Sequence, residues 1–211
     1  MSQIEQDFRR YLSKNPEVET CYQQGLINRR SLARRLVKEG MAKGNQVEAV
    51  VAMLRRFEFR KIQEKDKAIF KDIKINVKDR VIIFDFDKEK ELVRTLDKLI
   101  AHTNYDKGDT LKIVVGSSSI KVFLDEEKEG TVKDILHKFN LKKRYKHLSE
   151  ISMIFPDVAI DEIGIISTVA KELAVNDIVI TELLTATPEL LVYVDEKYVL
   201  KAYEVLKRLQ R

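Results

Sequence analysis

Glu150-Ile-Ser-Met-Ile-Phe155, Asp161-Glu-Ile-Gly-Ile-Ile-Ser-Thr-Val-Ala-Lys-Glu-Leu173 and Asp177-Ile-Val-Ile-Thr-Glu-Leu-Leu184 follow one another near the end of this 211-residue chain, and their order decides the fold. The first alternates apolar and polar residues, the period-two mark of a half-buried strand. Pro156 and Asp157 break it. In the second, Ile165, Ile166, Val169 and Leu173 recur at helical spacing, and Asp161 and Glu162 stand at its start, where the helix dipole favours acids. The third is rich in β-branched residues, as is Leu190-Leu-Val-Tyr-Val194, and Thr185-Ala-Thr-Pro188 reads as a hairpin link between them. Lys197 to Leu209 closes the stretch as an amphipathic helix, with Val199, Leu200, Ala202, Tyr203, Leu206 and Leu209 on or near one side.

Working back from there, Arg80-Val-Ile-Ile-Phe-Asp-Phe86 reads as a strand and Lys88 to Thr103 as a helix. Thr110 to Val115 and Ser119 to Leu124 read as a hairpin, Thr131 to Phe139 as a helix and Arg144 to Leu148 as a strand. That is a complete β-α-β-β-α-β unit running into a second that lacks one strand. A spare strand, Ile69 to Val77, precedes both. We expect it to pair with the C-terminal sheet, so that the first unit is an insertion in the second. The alternative is a plain hairpin between residues 69–77 and 80–86.

Asp161-Glu-Ile-Gly-Ile-Ile166, followed by Ala170-Lys-Glu-Leu-Ala-Val-Asn-Asp-Ile178, resembles the ACT domains that sense small molecules in amino-acid metabolism, above all the tandem pair at the end of aspartokinases. The resemblance covers roughly residues 70 to 211. It implies an effector held by backbone groups where the first helix opens, and by the Asn-aliphatic start of the second strand. The positions that match are Asp161, Ile163, Gly164 and Ile165, with Asn176, Asp177 and Ile178 opposite. It also implies a homodimer through the ACT-like sheets. It does not imply kinase activity, because the chain has no room for that catalytic domain. The first unit departs from the pattern: Phe86-Asp-Lys-Glu-Lys-Glu-Leu92 has no glycine and is crowded with charge, so we expect scaffold there.

Residues 2 to 61 read as helices only. Asn15-Pro16, Asn28 and Asn45 stand where N-caps would, and Gly25 and Gly40 where helices would end. A short basic helix, a glycine-bounded turn and a second helix are the parts of a helix-turn-helix. Asn28-Arg-Arg-Ser-Leu-Ala-Arg-Arg-Leu36 resembles the first helix of winged-helix DNA-binding domains. The residues that could face a polyanion are Arg29, Arg30, Arg34, Arg35, Lys38, Arg55 and Arg56. A helical interaction module with charge on its outer face is an equal reading, with Met41 or Met53 as apolar contacts.

Charge supports two jobs on one chain. Residues 1–62 hold 13 Lys and Arg against 7 Asp and Glu, whereas the remaining 149 hold 26 against 27. The positive excess therefore sits in the first third, facing a polyanion such as DNA or RNA. The apolar fraction of 44% suffices for a real core. No apolar run approaches the ~18 residues of a membrane span, and polar residues interrupt any apolar signal core at the N-terminus. A lone Cys21 excludes an internal disulfide and fits a reducing cytoplasm. His102, His137 and His147 lack metal-ligand spacing, Cys21 lacks a base partner, Gly116-Ser-Ser-Ser119 joins two strands, and Asp125-Glu-Glu127 reads as a solvated loop. Neither catalysis, cofactor nor metal is expected.

The expectation is an α+β chain in four segments. Residues 1–64 form a helix-turn-helix-like domain and residues 65–79 a linker and spare strand. Residues 80–148 and 149–211 form two ferredoxin-like ACT-type units. The expected function is non-catalytic: an amino acid or similar small molecule sensed by the ACT-like pair and coupled to nucleic-acid binding. The alternative is a regulatory or scaffolding subunit that grips a partner protein through its helices.

Overall fold

The computed structural model describes residues 3–59, 69–159 and 161–210. The chain divides into two compact units, Met1–Gln63 and Glu64–Arg211. The charged run Gln63-Glu-Lys-Asp-Lys67, which follows the helical segment in the sequence, and the basic residues Arg60 and Lys61 lie outside the described residues. No described helix is long and apolar enough to cross a membrane.

In the first unit, α1 (Gln3–Lys14) turns Phe8, Tyr11 and Leu12 inward. α2 (Pro16–Gln23) begins with proline at its first turn, where the missing N–H costs nothing. Asn15 precedes it but forms no side-chain cap; its Nδ2 instead donates to the Tyr11 carbonyl at 2.9 Å. α3 (Arg29–Lys38) is capped by Asn28, whose Oδ1 accepts from the Arg30 and Ser31 amides. Gly40 then takes a left-handed φ of 83°, the turn-ending conformation that only glycine adopts cheaply. A 3₁₀ turn, Gly44–Gln46, leads into α4 (Val47–Arg56), and Asn45 makes no cap bond. Leu32, Ala33 and Leu36 join Val50, Val51, Met53 and Leu54 in one core, closed by edge-on contacts among Phe8, Phe57 and Phe59. Met53 is thus a core residue rather than an exposed contact.

The second unit is a single six-stranded antiparallel sheet in the order β2-β3-β1-β4-β6-β5. Its centre is a pair of fourteen-residue strands, β1 (Lys74–Asp87) and β4 (Leu141–Ile154). On either side lie β3 (Ser119–Asp125) and β6 (Glu189–Asp195), with β2 (Leu111–Val115) and β5 (Glu182–Ala186) at the edges. Helices α5 (Lys90–Ala101), α6 (Glu129–Leu136) and α7 (Ile165–Ala174) connect them, and α8 (Val199–Arg208) follows β6.

Here the structure corrects two readings. Residues 69–77 and 80–86 are not separate strands: Ile69 and Phe70 are helical, and one strand runs from Lys74 through Asp87. Residues 144–148 and 150–155 are likewise joined in β4. The polar triplet Lys78-Asp-Arg80 stands where a plain hairpin between residues 69–77 and 80–86 would turn. Its Arg80 instead adopts φ 58°, forming a bulge that re-aims the strand without ending it. His147, at φ 56°, does the same in β4. Lys74 to Lys78 pair with Ile154 to Glu150, and Val81 to Asp87 pair with β3. The sheet is therefore one, and the segment boundaries expected at 79/80 and 148/149 fall inside its long strands.

The helices cover one face. Ile82, Phe84 and Phe86 pack with Leu92, Leu96 and Leu99 of α5 and Val132 and Leu136 of α6. Ile151, Met153, Val192 and Val194 pack with Val169 and Leu173 of α7 and Ala202, Val205 and Leu206 of α8. On the opposite face Val81, Ile83, Phe123, Leu148, Leu191 and Tyr193 form a core of their own. Curling of the sheet buries it. Lys121 of β3 forms an ion pair with Glu182 of β5, although three strands lie between them. In a flat sheet that interval would be about 19 Å, at ~4.8 Å per strand. Lys112 of edge strand β2 reaches Glu150 of β4 at 2.7 Å in the same way. Tyr193 donates to Glu150 at 2.6 Å, and burial first, then that carboxylate, pushes its hydroxyl pKa far up. An apolar interior rimmed by paired charges results.

Candidate functional site

The chain leaves β4 through Phe155 and Pro156, makes a 3₁₀ turn at Asp157–Ala159, and enters α7 through Gly164. Gly164 has φ 95°, a conformation closed to L side chains without strain. No side chain caps α7. The first-turn amides of Ile165, Ile166 and Ser167 therefore remain available to an outside acceptor, at the positive end of the helix dipole. Across from them stands the β5–β6 turn, whose Thr187–Pro188 peptide is cis.

Between these walls is a cleft of about 690 Å³. Phe155, Ala159, Ala170 and Leu190 give it apolar sides, and Thr185, Thr187 and Ser167 add hydroxyls. Two carboxylates face it, Glu162 and Glu189, and no Lys, Arg, His or Cys belongs to its described lining. Ser152 donates to Glu189 from the strand beneath. The rim exposes apolar groups, Ile163 at 87% and Ile166 at 48%. The cleft thus offers amide donors at one pole, acid at another and apolar walls between. It can hold a small zwitterion, or a cation with an apolar body.

Of the residues singled out in the sequence, Ile163, Gly164 and Ile165 line this cleft, while Asp161 sits in the exposed turn beside it. Asn176, Asp177 and Ile178 lie at the other end of α7. Asn176 donates to the Glu172 carbonyl at 2.8 Å, its Oδ1 accepts from Arg208 at 3.2 Å, and its carbonyl accepts from Lys201 at 2.6 Å. Asp177 takes φ 58°, and Ile178 is buried in the helix-side core. Asn176 thereby fastens α7 to α8, and Ile178 anchors the segment in the core. The β-branched run from Asp177 suggested a strand, but pairing starts only at Glu182, so the opposing wall comes from Thr185 to Leu190 instead. The sequence signal that marks that wall is the Thr-Pro of the hairpin link.

The equivalent interval in the first half is bridged. Lys88 donates to the Gly116 carbonyl at 2.8 Å, and Lys142 to the Ser118 carbonyl at 3.1 Å. Lys142 also pairs with Asp87 at 2.9 Å, and hydrogen bonds from Lys142 and then Asn140 hold that carboxyl below its usual range.

In the helical unit the seven basic residues divide. Arg29 donates to the Tyr22 hydroxyl at 2.9 Å and lies over its ring. Arg30 pairs with Glu48, and Arg35 with Glu39 at 3.0 Å. Arg56 is exposed and reaches the Ala52 carbonyl at 3.4 Å. Among the described residues Arg34, Lys38 and Arg55 are exposed and form no ion pair.

No family model and no curated protein sequence matches this chain. Solved structures do. The aspartate kinase of Clostridium acetobutylicum matches 65% of the chain with a TM-score of 0.54 at 13% identity, and the chain spans only 34% of that enzyme's length. The regulatory subunit of aspartate kinase from Thermus flavus matches 65% with a TM-score of 0.52 at 8% identity, over 97% of its own length. The same subunit from Thermus thermophilus matches 65% with a TM-score of 0.50 at 9% identity, over 95% of its length. These likenesses show the fold of the sheet unit, which is ACT-like.

Proposed function

We propose that this protein is a non-catalytic regulator whose ACT-like sheet unit senses a small molecule in the cleft between α7 and the β5–β6 turn. The observation that carries the reading is the uncapped N-terminus of α7 facing that cleft, with Glu162 and Glu189 nearby and apolar walls between. An amino acid satisfies all three: its carboxylate at the Ile165, Ile166 and Ser167 amides, its ammonium toward a carboxylate, its side chain on Phe155 and Leu190. Ile163, Gly164 and Ile165 shape the donor wall. Asn176, Asp177 and Ile178 hold α7 in register from its far end, and Asp161 sets the approach.

The helical unit is the output. Arg34, Lys38 and Arg55 are free to meet phosphate, with Arg29, Arg30, Arg35 and Arg56 around them, and ligand binding biases this contact by favouring one arrangement of a homodimer paired through its sheet edges. A partner protein is the second reading. It is favoured by the engagement of Arg29, Arg30 and Arg35 within the unit itself, which leaves fewer charges for a polyanion.

Thermal unfolding of the purified chain against the common amino acids tests the sensor. A selective rise is expected, absent in Ala170→Leu, which fills the cleft without touching the backbone. The output is tested by binding to duplex DNA across a salt series. Steep salt dependence, weakened by Arg34→Ala with Lys38→Ala, supports phosphate contact. Binding to neither DNA nor RNA moves the output to the partner protein.

A further inference from the structure

The two halves of the sheet unit repeat one another, and the repeat brings three metal-ligating side chains together. β1 and β4 have the same length, and each carries its left-handed residue at the seventh position, Arg80 and His147. β3 and β6 also match in length. Each ends in an aspartate, in equivalent registers, Asp125 beside Val81 and Asp195 beside Leu148. Each then runs into a 3₁₀ turn, Glu126–Lys128 and Glu196–Tyr198. Glu126 and Glu196 are therefore equivalent residues, and the curl of the sheet turns them toward one another. A carboxylate oxygen of each and a ring nitrogen of His147 all lie within 4.8 Å of one another.

We propose that Glu126, His147 and Glu196 form a site for a divalent transition metal of the zinc class, linking the two halves where both long strands bulge. One imidazole and two carboxylates are ligands such an ion takes readily, whereas calcium and magnesium prefer oxygen alone. An ion needs each donor at about 2.0–2.2 Å, so the three have to close in by under roughly an ångström. His147 is 71% exposed at its side chain, which leaves room for its ring to turn toward the ion, and solvent completes the coordination. Its Nδ1 stands 3.8 Å from Glu126 Oε1, too far for a hydrogen bond.

A second, independent observation concerns charge. The lysines nearby are committed elsewhere: Lys78 to Asp125 at 2.8 Å, Lys128 to Asp109 at 3.1 Å and Lys197 to Asp195 at 3.2 Å. Among the described residues no Lys or Arg side chain pairs with Glu126 or Glu196. Glu196 accepts a hydrogen bond from the Arg80 amide, at 3.1 Å, and no other among the described residues. Two part-buried carboxylates therefore converge without a cation in a chain that carries a net positive charge. Like charges so placed repel, and a divalent ion between them removes that repulsion.

The test is titration of the full chain with Zn²⁺ by calorimetry and with Co²⁺ by visible absorption, in a Cys21→Ser background that removes the lone thiol. One ion per chain is expected, with a Co²⁺ band in the visible. The two variants are His147→Asn, whose side chain tolerates the left-handed backbone, and Glu196→Gln, which keeps shape and loses charge. Each should weaken binding by about tenfold or more. Saturating Zn²⁺ should raise the unfolding temperature of the parent and not of either variant. No uptake, or uptake equal in the parent and both variants, overturns the assignment.

Discussion

The two halves of the sheet unit share a backbone plan and part company where their first helices begin. Neither α5 nor α7 carries a side-chain cap, but in the C-terminal half Gly164 opens α7 at a left-handed φ of 95° and a cleft separates it from the hairpin turn. In the N-terminal half Lys88 and Lys142 hold the hairpin turn by its Gly116 and Ser118 carbonyls. The difference between the half proposed to sense and the half proposed to support rests on a few residues. A glycine at left-handed φ opens the helix onto a cleft in one, and long lysines bridge to the hairpin-turn carbonyls in the other.

The largest effects come from the helix-side cores. Leu173→Ala on the inner face of α7 and Leu96→Ala on the inner face of α5 should each cost about 2–5 kcal/mol in urea unfolding, since each empties a buried site. Only the Leu173 variant should also abolish an amino-acid-dependent shift in stability. Equal loss of the shift in both would break the division between the halves.

A ligand at a hundredfold excess over its Kd should add about 2.7 kcal/mol to the parent. Ala170→Leu should remove that increment while costing no more than about 1–3 kcal/mol by itself. Glu150→Gln probes what joins the halves, because Lys112 comes from one and Tyr193 from the other. Its cost should be about 1–3 kcal/mol by the same unfolding measurement, with the ligand shift retained.

Acid sharpens the comparison from the supporting side. Hydrogen bonds from Lys146 and then Lys133 hold the Glu129 carboxyl at about 2, against an ordinary 4.5. A depressed carboxylate contributes its stability fully above the unfolded value and loses it as pH falls toward the folded one. Stability should therefore drop between pH 4.5 and about 2 less steeply in Glu129→Gln than in the parent. The smallest effect belongs to Lys88→Ala. Loss of one exposed bridge should stay within about 0.5 kcal/mol and create no new ligand response.

Much of this was legible in the residues, and the misreadings share a cause. Helical faces such as Leu92-Leu96-Leu99 declare themselves by period, because each packs on one side of the sheet. The Lys78-Asp-Arg80 triplet did not, since a polar run looks the same in a bulge as in a turn. The β-branched start at Asp177 looked like a strand, yet Ile178 is there to fill the core and Asn176 to fasten α8. Half of the cleft followed from Gly164. The other half depends on which hairpin the fold places opposite, which no local pattern states. The meeting of Glu126 with Glu196 was also hidden, although the Asp-Glu at the end of each inner strand is a visible repeat, Asp125-Glu126 and Asp195-Glu196. Only the curl of the sheet turns that repeat into proximity.

The most direct test of the sensing cleft is an amide-shift map of the full chain as each common amino acid is added in turn. At least one compound should move Ile165, Ile166, Ser167 and Thr187 while leaving Lys88 to Glu91 and Gly116 to Ser118 in place. Shifts centred on the first half, or none from any compound, would contradict the assignment of sensing to the C-terminal cleft.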